Sequence, residues 1–493
     1  MIIRLFGNSF RYEMEKLSMA FFPDRKFHIA EGEEARSLSI PEDEPVITVD
    51  LQDSSVVASF ENKSENLCEA SEEPILPGKD PELSAGRALY RTLSRVTGIT
   101  PKWGILTGVR PSKIMRKHME KDGADAAEQY FRDQLYVAPE KIQLAEAVSR
   151  NEEPIIARSR PGSFSLYISI PFCPRRCSYC SFVSHSISAP SARKLFPQYY
   201  EKLLQEIAET GKIAASCGWT LRSVYIGGGT PSTLSAEQIT GLLSCVRSFF
   251  DLSSCEEFTF EAGRPDTTTP EKLKAIYFGG ADRISINPQT MNDEILRSIG
   301  RNHTADDIRR TFSDARSIGF TNINMDLIAG LPGDTPENFE RSLREVLALD
   351  PESVTVHTLA YKRSSSLIPT AELFSRGKDT AKMVDTSAEL LYNFDYAPYY
   401  MYRQARSVGN LENVGWAKKG CESAYNVYMM EEVHPVLACG AGAVTKLKAD
   451  GCDDITRLFN FKYPYEYVNR FSQLIAQKSK ILDFAKEASK VAE

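Results

Sequence analysis

The 493-residue sequence predicts an α/β fold, and three observations carry that prediction. From about residue 163, six short runs rich in β-branched or aromatic residues recur with helix-sized gaps between them, the pattern of parallel βα units. Mixed strand and helix texture precedes this rhythm, and beyond about residue 365 the alternation stops. Hydrophobic content of 42% and charged content of 25% are ordinary for a globular protein, while the length exceeds what one ordinary core accommodates. The predicted organisation is an N-terminal α/β module over 1–160, a partial barrel of six βα units over 161–364, and a mostly helical C-terminal domain over 365–493.

Each part rests on particular stretches. In the module, "EPVITVDL" reads as a strand, and the acidic, weakly apolar "NKSENLCEASEEPILPGKDPE" reads as a loop or linker. Helical periodicity follows in "SAGRALYRTLSRVTG" and "GADAAEQYFRDQLY". The six strand-like runs are "SLYISI", "SVYIGGG", "EFTFEAG", "RISIN", "NINMDLIAG" and "SVTVHTLA". Six units predict an open or partial barrel rather than a closed eight-stranded one. The last part holds an aromatic stretch, "YNFDYAPYYMYRQ", a small-residue stretch, "ACGAGAVTK", and a helix through "EYVNRFSQLIAQKSKILDFAKEASK".

A formal net charge of −7 argues against a dominant nucleic-acid footprint. The start, "MIIRLFGNSFRYEMEK", lacks the apolar core of a signal peptide, and no run approaches a membrane span, so a cytoplasmic protein is expected. Ten cysteines are too sparse for a disulfide scaffold. Three of them, Cys173, Cys177 and Cys180, fall within eight residues in "ISIPFCPRRCSYCSF", the spacing C-x3-C-x2-C. In a reducing compartment such a cluster reads as metal ligands. The loop follows the first of the six strands, and parallel sheets gather their chemistry at the C-terminal strand ends. His185 allows a closed tetrahedral Cys3His zinc site, and three idle thiols are the blandest reading. The third reading is a 4Fe–4S cluster on three thiolates, with one iron left open to a small molecule. In "GGGTPS", glycines at a strand end would let a ligand approach the backbone closely.

A C-x3-C-x2-C loop after the first strand of a βα barrel resembles the radical S-adenosylmethionine (SAM) superfamily. That resemblance implies a partial (βα)6 radical SAM barrel. It also implies a 4Fe–4S cluster whose open iron chelates SAM, and a 5′-deoxyadenosyl radical formed by one-electron cleavage of the sulfonium. The blocks "LYISIPFCPRRCSYCSF", "GGGTPS", "FTFEAGRPD", "DRISINPQTMND", "SIGRNHT" and "MDLIAGLPGDT" follow, in order, those of the oxygen-independent coproporphyrinogen III oxidase family. "WGILTGVRPSKI" and "GNLENVGWAKKG" resemble its HemZ-type branch.

Carried over residue by residue, the resemblance makes Cys173, Cys177 and Cys180 the cluster ligands. Tyr167 stands beside the iron-bound SAM, and Tyr179 lies against its adenine region. Gly228, Gly229 and Thr230 match the segment that contacts the methionine end. Glu261, at the end of "FTFE", joins the SAM site. Gln289, Arg301 and Asp326 match positions that hydrogen-bond the SAM ribose and carboxylate, and Ala360 matches a backbone contact. One or two SAM molecules are expected. The implied reaction takes a hydrogen from the β-carbon of a coproporphyrinogen III propionate. Loss of one electron and CO2 then leaves a vinyl group, and two rounds give protoporphyrinogen IX. The implied partners are the tetrapyrrole and an electron donor such as flavodoxin or ferredoxin. Propionates need cations, and Lys362, Arg363, Arg403 and Arg406 are candidates.

Two positions depart from the family. Phe182 stands where decarboxylating members carry a further cysteine, a pattern shared with the HemW haem chaperones, and Ser169 replaces a histidine. Neither change removes a thiolate ligand, so the cluster and SAM cleavage are expected to survive while the decarboxylation is put in question. The alternatives are therefore a HemW-type haem chaperone, a radical SAM enzyme with another substrate (for example a methyltransferase), and a zinc protein.

Overall fold

Alternating apolar residues in "IIRLF" and "VITVDL" place one face of each strand against a core, and this pattern builds the N-terminal sheet. The structure is a computed structural model. It describes residues 1–75, 78, 80–108, 110–182, 184–362, 365–367 and 376–492, with side chains to residue 488. Arg363 lies outside the described residues.

Among the described residues, the module holds a five-stranded sheet. β1 (Ile2–Phe6) is flanked by parallel β2 (His28–Glu31) and β3 (Val46–Leu51); β4 (Ser55–Asn62) and β5 (Leu67–Pro74) continue it antiparallel. Helix Pro81–Thr97 starts on the Asp80 cap and stops at Gly98 in the left-handed region. Its face Ala85, Ala88, Leu89 and Leu93 joins Ile47, Val49 and Phe60 in the core. The acidic stretch read as a linker contains β5, which is a correction. An edge strand tolerates charge, and buried Glu73 is paired with Arg87 and Arg91 of that helix.

The six predicted strands all form. They are β6 (Ser163–Ile170), β9 (Thr220–Gly228), β10 (Glu257–Gly263), β11 (Arg283–Ile286), β12 (Ile323–Ala329) and β13 (Ser353–Thr358). All run parallel in the order β6-β9-β10-β11-β12-β13. Two short strands, β7 (Phe172–Cys173) and β8 (His185–Ser186), pair beside them.

Beyond residue 365 the chain is helical over Gly377–Asn393, Ala424–Glu431, Pro464–Asn469 and Phe471–Ala492. It also supplies strands that periodicity did not reveal: β14 (Ala397–Arg403), β15 (Glu412–Ala417), β16 (Val436–Cys439), β17 (Val444–Lys448) and β18 (Ile455–Phe459). Among the described residues the sheet has eleven strands, with β15 antiparallel on β13 and β16 parallel on β6.

The chain divides into two compact units. One comprises 1–149, the described part of 368–381, and 401–413; the other comprises 150–367, 382–400 and 414–492. Within the second, Glu206 of helix Pro190–Ser216 is buried but fully engaged. It pairs with Lys478 at 2.9 Å and accepts from Tyr467 Oη (2.6 Å), Asn460 Nδ2 (2.8 Å) and the Gly440 N–H (2.7 Å). A buried charge satisfied this completely fixes geometry, since removing one partner would strand the other. Tyr199 of the same helix donates to the Ser169 carbonyl at 2.7 Å and so ties the network to the end of β6.

Candidate functional site

The site begins where β6 ends. Past Pro171, β7 pairs with β8, placing Phe172 opposite His185 and Cys173 opposite Ser186. The intervening loop carries Cys177 and Cys180. The Ile187 N–H donates to the Cys173 carbonyl at 2.8 Å, and the Ser186 and Ser188 hydroxyls donate to the Pro174 carbonyl. The Ser178 N–H reaches the Ile299 carbonyl at 3.1 Å, and the Ser178 carbonyl accepts from the N–H groups of Ser366 and Leu367. Cys173 and Cys177 are buried, Cys180 is half-buried, and all three are free thiols. Burial pushes the Cys180 thiol up to about 11, and it also raises that of Cys173. A metal must therefore displace protons to bind here. Among the described residues, no three His, Cys, Asp or Glu side chains are gathered as a single metal ion would need them.

The glycine-rich turn runs against this loop. The Gly229 N–H donates to the Ile170 carbonyl and the Thr230 N–H to the Phe172 carbonyl, each at 2.8 Å. A Cβ on Gly229 would lie 2.6 Å from the Phe172 carbonyl oxygen. Gly228, at φ +108°, would place one 2.9 Å from Ser169 Oγ. The close approach expected of a ligand is thus made, at these positions, by the cysteine loop's own backbone.

Four predicted positions are joined in two pairs, Gln289 with Asp326 and Arg301 with Tyr179. Gln289 sits at φ +69°, a left-handed conformation that a non-glycine residue adopts at a cost. Its N–H donates to the Asp326 carbonyl at 2.8 Å and its carbonyl accepts from the Ile328 N–H at 2.9 Å, which pins it to β12. Arg301 is buried; Nη1 reaches the Asn287 carbonyl at 2.5 Å and Nη2 reaches Tyr179 Oη at 3.1 Å. Arg301 Nε and Asn287 Oδ1 are buried with no hydrogen-bond partner among the described residues. Glu261 lies near the end of β10, beside a bulge, where its Oε1 accepts from Tyr225 Oη at 2.6 Å. Ala360 lies two residues beyond β13, and the neighbouring Leu359 N–H is held by the Ala329 carbonyl.

The two carboxylates have different electrostatics. Burial, reinforced by the charge of Asp326, pushes Glu261 up to about 7 despite its bonds to Tyr225 and Gly228. Burial also works against ionisation of Asp326, but His357, Asn324 and Thr355 hold it below the usual carboxylate range. Asn324 Nδ2 donates to it at 2.7 Å, and His357 Nε2 stands 3.8 Å away. One anion with a near-neutral acid beside it can accept a cationic, hydrogen-bonding ligand.

Tyr167 of β6 lies in a stack with Tyr225 (6.3 Å) and Tyr425 (6.4 Å), and Tyr225 and Tyr425 are 4.5 Å apart. Residues that the sequence did not single out include Tyr425, His357, Asn324 and Arg264. Arg264 lies inside the quoted "EAGRPD", and its Nη1 stands 3.6 Å from Cys177 Sγ. A charged residue directly after a strand-end glycine was the available signal.

One expectation changes. Arg403 is 5% exposed, with its guanidinium on the Leu106 and Asn410 carbonyls and over the Trp103 ring, so its charge serves packing rather than a substrate. Phe182 is 59% exposed, and only its backbone N–H addresses the sulfur of Cys180. Lys362 and Arg406 are exposed.

Residues 167–346 match the model of the radical SAM superfamily. Over 397 residues the chain is 38% identical to the "oxygen-independent coproporphyrinogen-III oxidase-like protein HemZ" of Bacillus subtilis (strain 168), covering 78% of each chain. It is 34% identical over 281 residues to the haem chaperone HemW of the same organism, covering 57% of this chain and 70% of that one. The solved coproporphyrinogen III oxidase (HemN) of Escherichia coli aligns at 24% identity and a TM-score of 0.49, covering 65% of this chain and 71% of that one.

Proposed function

The chain belongs to the radical SAM superfamily, in the HemZ-like branch of the oxygen-independent coproporphyrinogen III oxidase family, and from that premise we propose that it oxidatively decarboxylates coproporphyrinogen III to protoporphyrinogen IX in anaerobic haem synthesis. One observation carries the reading. A loop of three free thiols lies beside Arg301, whose guanidinium reaches Tyr179 of that loop and the Asn287 carbonyl, and Arg301 Nε and Asn287 Oδ1 lack partners among the described residues.

The donor set fits the cofactors the superfamily implies. Cys173, Cys177 and Cys180 would hold a 4Fe–4S cluster, with no fourth cysteine in the loop to close it. When bound, cluster and SAM supply a radical able to take hydrogen from an unactivated carbon. Asp326, kept ionised by His357 and Asn324, would take an ammonium or hydroxyl group of SAM. Arg301 would face its carboxylate, Gln289 would bond its polar edge, and Tyr167 and Tyr179 would exclude water. Glu261, held between protonation states, would adjust its charge to the ligand. Lys362 would meet a propionate, because it lies close enough to feel the charge of Cys180. Electrons would arrive from a flavodoxin- or ferredoxin-like donor.

Anaerobic incubation of reconstituted protein with SAM, a reductant and coproporphyrinogen III, followed by product analysis, tests the reading. Protoporphyrinogen IX with CO2 supports it; SAM cleavage without tetrapyrrole change refutes the substrate. A second reading, haem chaperone, is favoured by Phe182 and by the likeness to HemW. Stable stoichiometric haem binding with no product would select it.

A further inference from the structure

The resemblance gives Arg264 no role, yet it is only 4% exposed and faces a proposed ligand. Its Nη1 lies 3.6 Å from Cys177 Sγ and donates to the Arg175 carbonyl at 3.1 Å. Its other edge is clamped: Nε to Asp266 Oδ1 at 2.9 Å and Nη2 to Asp266 Oδ2 at 2.8 Å, a bidentate fork. Behind Asp266, buried His303 places Nδ1 3.7 Å from Oδ1. The ion pair is inside the protein, where charge acts over distance with little screening. A buried ion pair that only packed the turn after β10 would have no need to turn a donor toward a thiol.

We propose that Arg264 is a positioning residue for the iron–sulfur cluster, its clamped guanidinium aiming an N–H at the Cys177 sulfur and raising the reduction potential of the centre. Reduction adds one negative charge to the cluster, so a nearby cation and an N–H···S bond stabilise the reduced form more than the oxidised one. Asp266 acts in two ways: it fixes the guanidinium, and it offsets part of its charge. The two side chains therefore have opposite electrostatic effects on the same centre. Arg301, also near Cys177, and Arg176 and Lys362, near Cys180, add to the positive background and are left unaltered by the test.

The inference rests on the proposed cluster, and the experiment separates the two. Protein reconstituted anaerobically is titrated potentiometrically, following the reduced cluster by electron paramagnetic resonance, with iron counted in each sample. Absence of a cluster in the unaltered chain would refute the cluster reading itself. With the cluster present, Arg264→Gln should keep its iron and shift the one-electron equilibrium about tenfold toward the oxidised form, a fall of about 59 mV. Asp266→Asn, which leaves Arg264 held by the Arg175 carbonyl and the sulfur, should move the midpoint upward. Arg264→Lys should stay closer to the unaltered value than Arg264→Gln does. An unchanged midpoint in Arg264→Gln, or shifts of the same sign in Arg264→Gln and Asp266→Asn, overturns the proposal, because a merely structural pair would not give opposite signs. Should Arg264→Gln fail to hold iron, Asp266→Asn decides alone: a rise supports the role and any other result rejects it.

Discussion

Gln289 and Asp326, 37 positions apart in sequence, are joined by backbone: the Gln289 N–H donates to the Asp326 carbonyl at 2.8 Å. This bond helps hold Gln289 in the left-handed region, next to a strand residue whose carboxylate is oriented by Asn324 and His357. The backbone at both positions is therefore fixed before any ligand arrives. Such preorganisation predicts that Asp326→Asn weakens SAM binding by about tenfold to a hundredfold, the worth of one charge-assisted hydrogen bond. Iron content should not change. Anaerobic calorimetry of SAM binding measures it, and an unaltered affinity would remove Asp326 from the site.

The cysteines give a cleaner prediction. Anaerobically purified protein should be brown with about four irons per chain. Cys173→Ala, Cys177→Ala and Cys180→Ala should each bleach it, whereas Cys217→Ala, Cys245→Ala and Cys439→Ala should not. Iron and zinc analysis of the six variants settles the matter, and stoichiometric zinc in a colourless protein contradicts the cluster.

Glu261 makes a prediction about pH. Its folded value, about 7, lies above the usual 4.5, so the native state binds the proton more tightly than the unfolded chain does. The associated stability is fully present below about pH 4.5, is lost as pH rises toward 7, and stays lost above it. Glu261→Gln keeps an acceptor for the Tyr225 hydroxyl without the charge. Its melting temperature relative to the unaltered, cofactor-free protein should therefore be higher at pH 8 than at pH 5. A difference independent of pH would show that Glu261 is not the group titrating.

The glycine turn can be tested without cofactor. On Gly229 a Cβ would lie 2.6 Å from the Phe172 carbonyl and 2.9 Å from that of Ile170, both backbone atoms that cannot step aside cheaply. Gly229→Ala should cost about 1–3 kcal/mol by overpacking and should impair cluster assembly by displacing Cys173. Gly108→Ala, at a position with open space around its Cβ and, like Gly229, no left-handed φ, is the control for loss of a glycine alone. Denaturant unfolding and iron retention measure both, and equal losses in the two variants would mean that the contact with Phe172 and Ile170 is not the cause.

How much of this was legible depends on the range of the interaction. The six parallel strands were readable because a strand buried on both faces writes its pattern in consecutive residues. β15 and β16 were not, since each joins the sheet through a strand far away in sequence, β13 and β6, although their other neighbours, β14 and β17, lie close by. The acidic β5 hid for a related reason: the arginines that neutralise Glu73 sit on the following helix. In the site, Cys173, Cys177 and Cys180 are local in sequence and were plain. Gln289, Arg301 and Asp326 came through resemblance, and the backbone bond between Gln289 and Asp326 needed coordinates. Arg403 misled because a free cation and one buried over Trp103 are indistinguishable in one dimension.

Phe182 carries the final prediction. It follows Cys180 by two residues, its backbone N–H addresses the Cys180 sulfur, and its ring is 59% exposed. The ring therefore holds neither iron nor core, and replacing it should leave both intact. An apolar ring cannot donate a hydrogen or accept a hydrogen bond as a thiol can. If the missing cysteine limits the chemistry, the unaltered protein should cleave SAM but convert coproporphyrinogen more slowly than the variant does. Phe182→Cys should then bind the same iron, bind SAM with the same affinity, and yield more protoporphyrinogen IX. Its melting temperature should shift little, since exposed substitutions usually fall within about 0.5 kcal/mol. Product yield, iron and SAM affinity measured together on both proteins decide the case. Conversion by the unaltered protein equal to that of the variant would mean that Phe182 does not limit the decarboxylation.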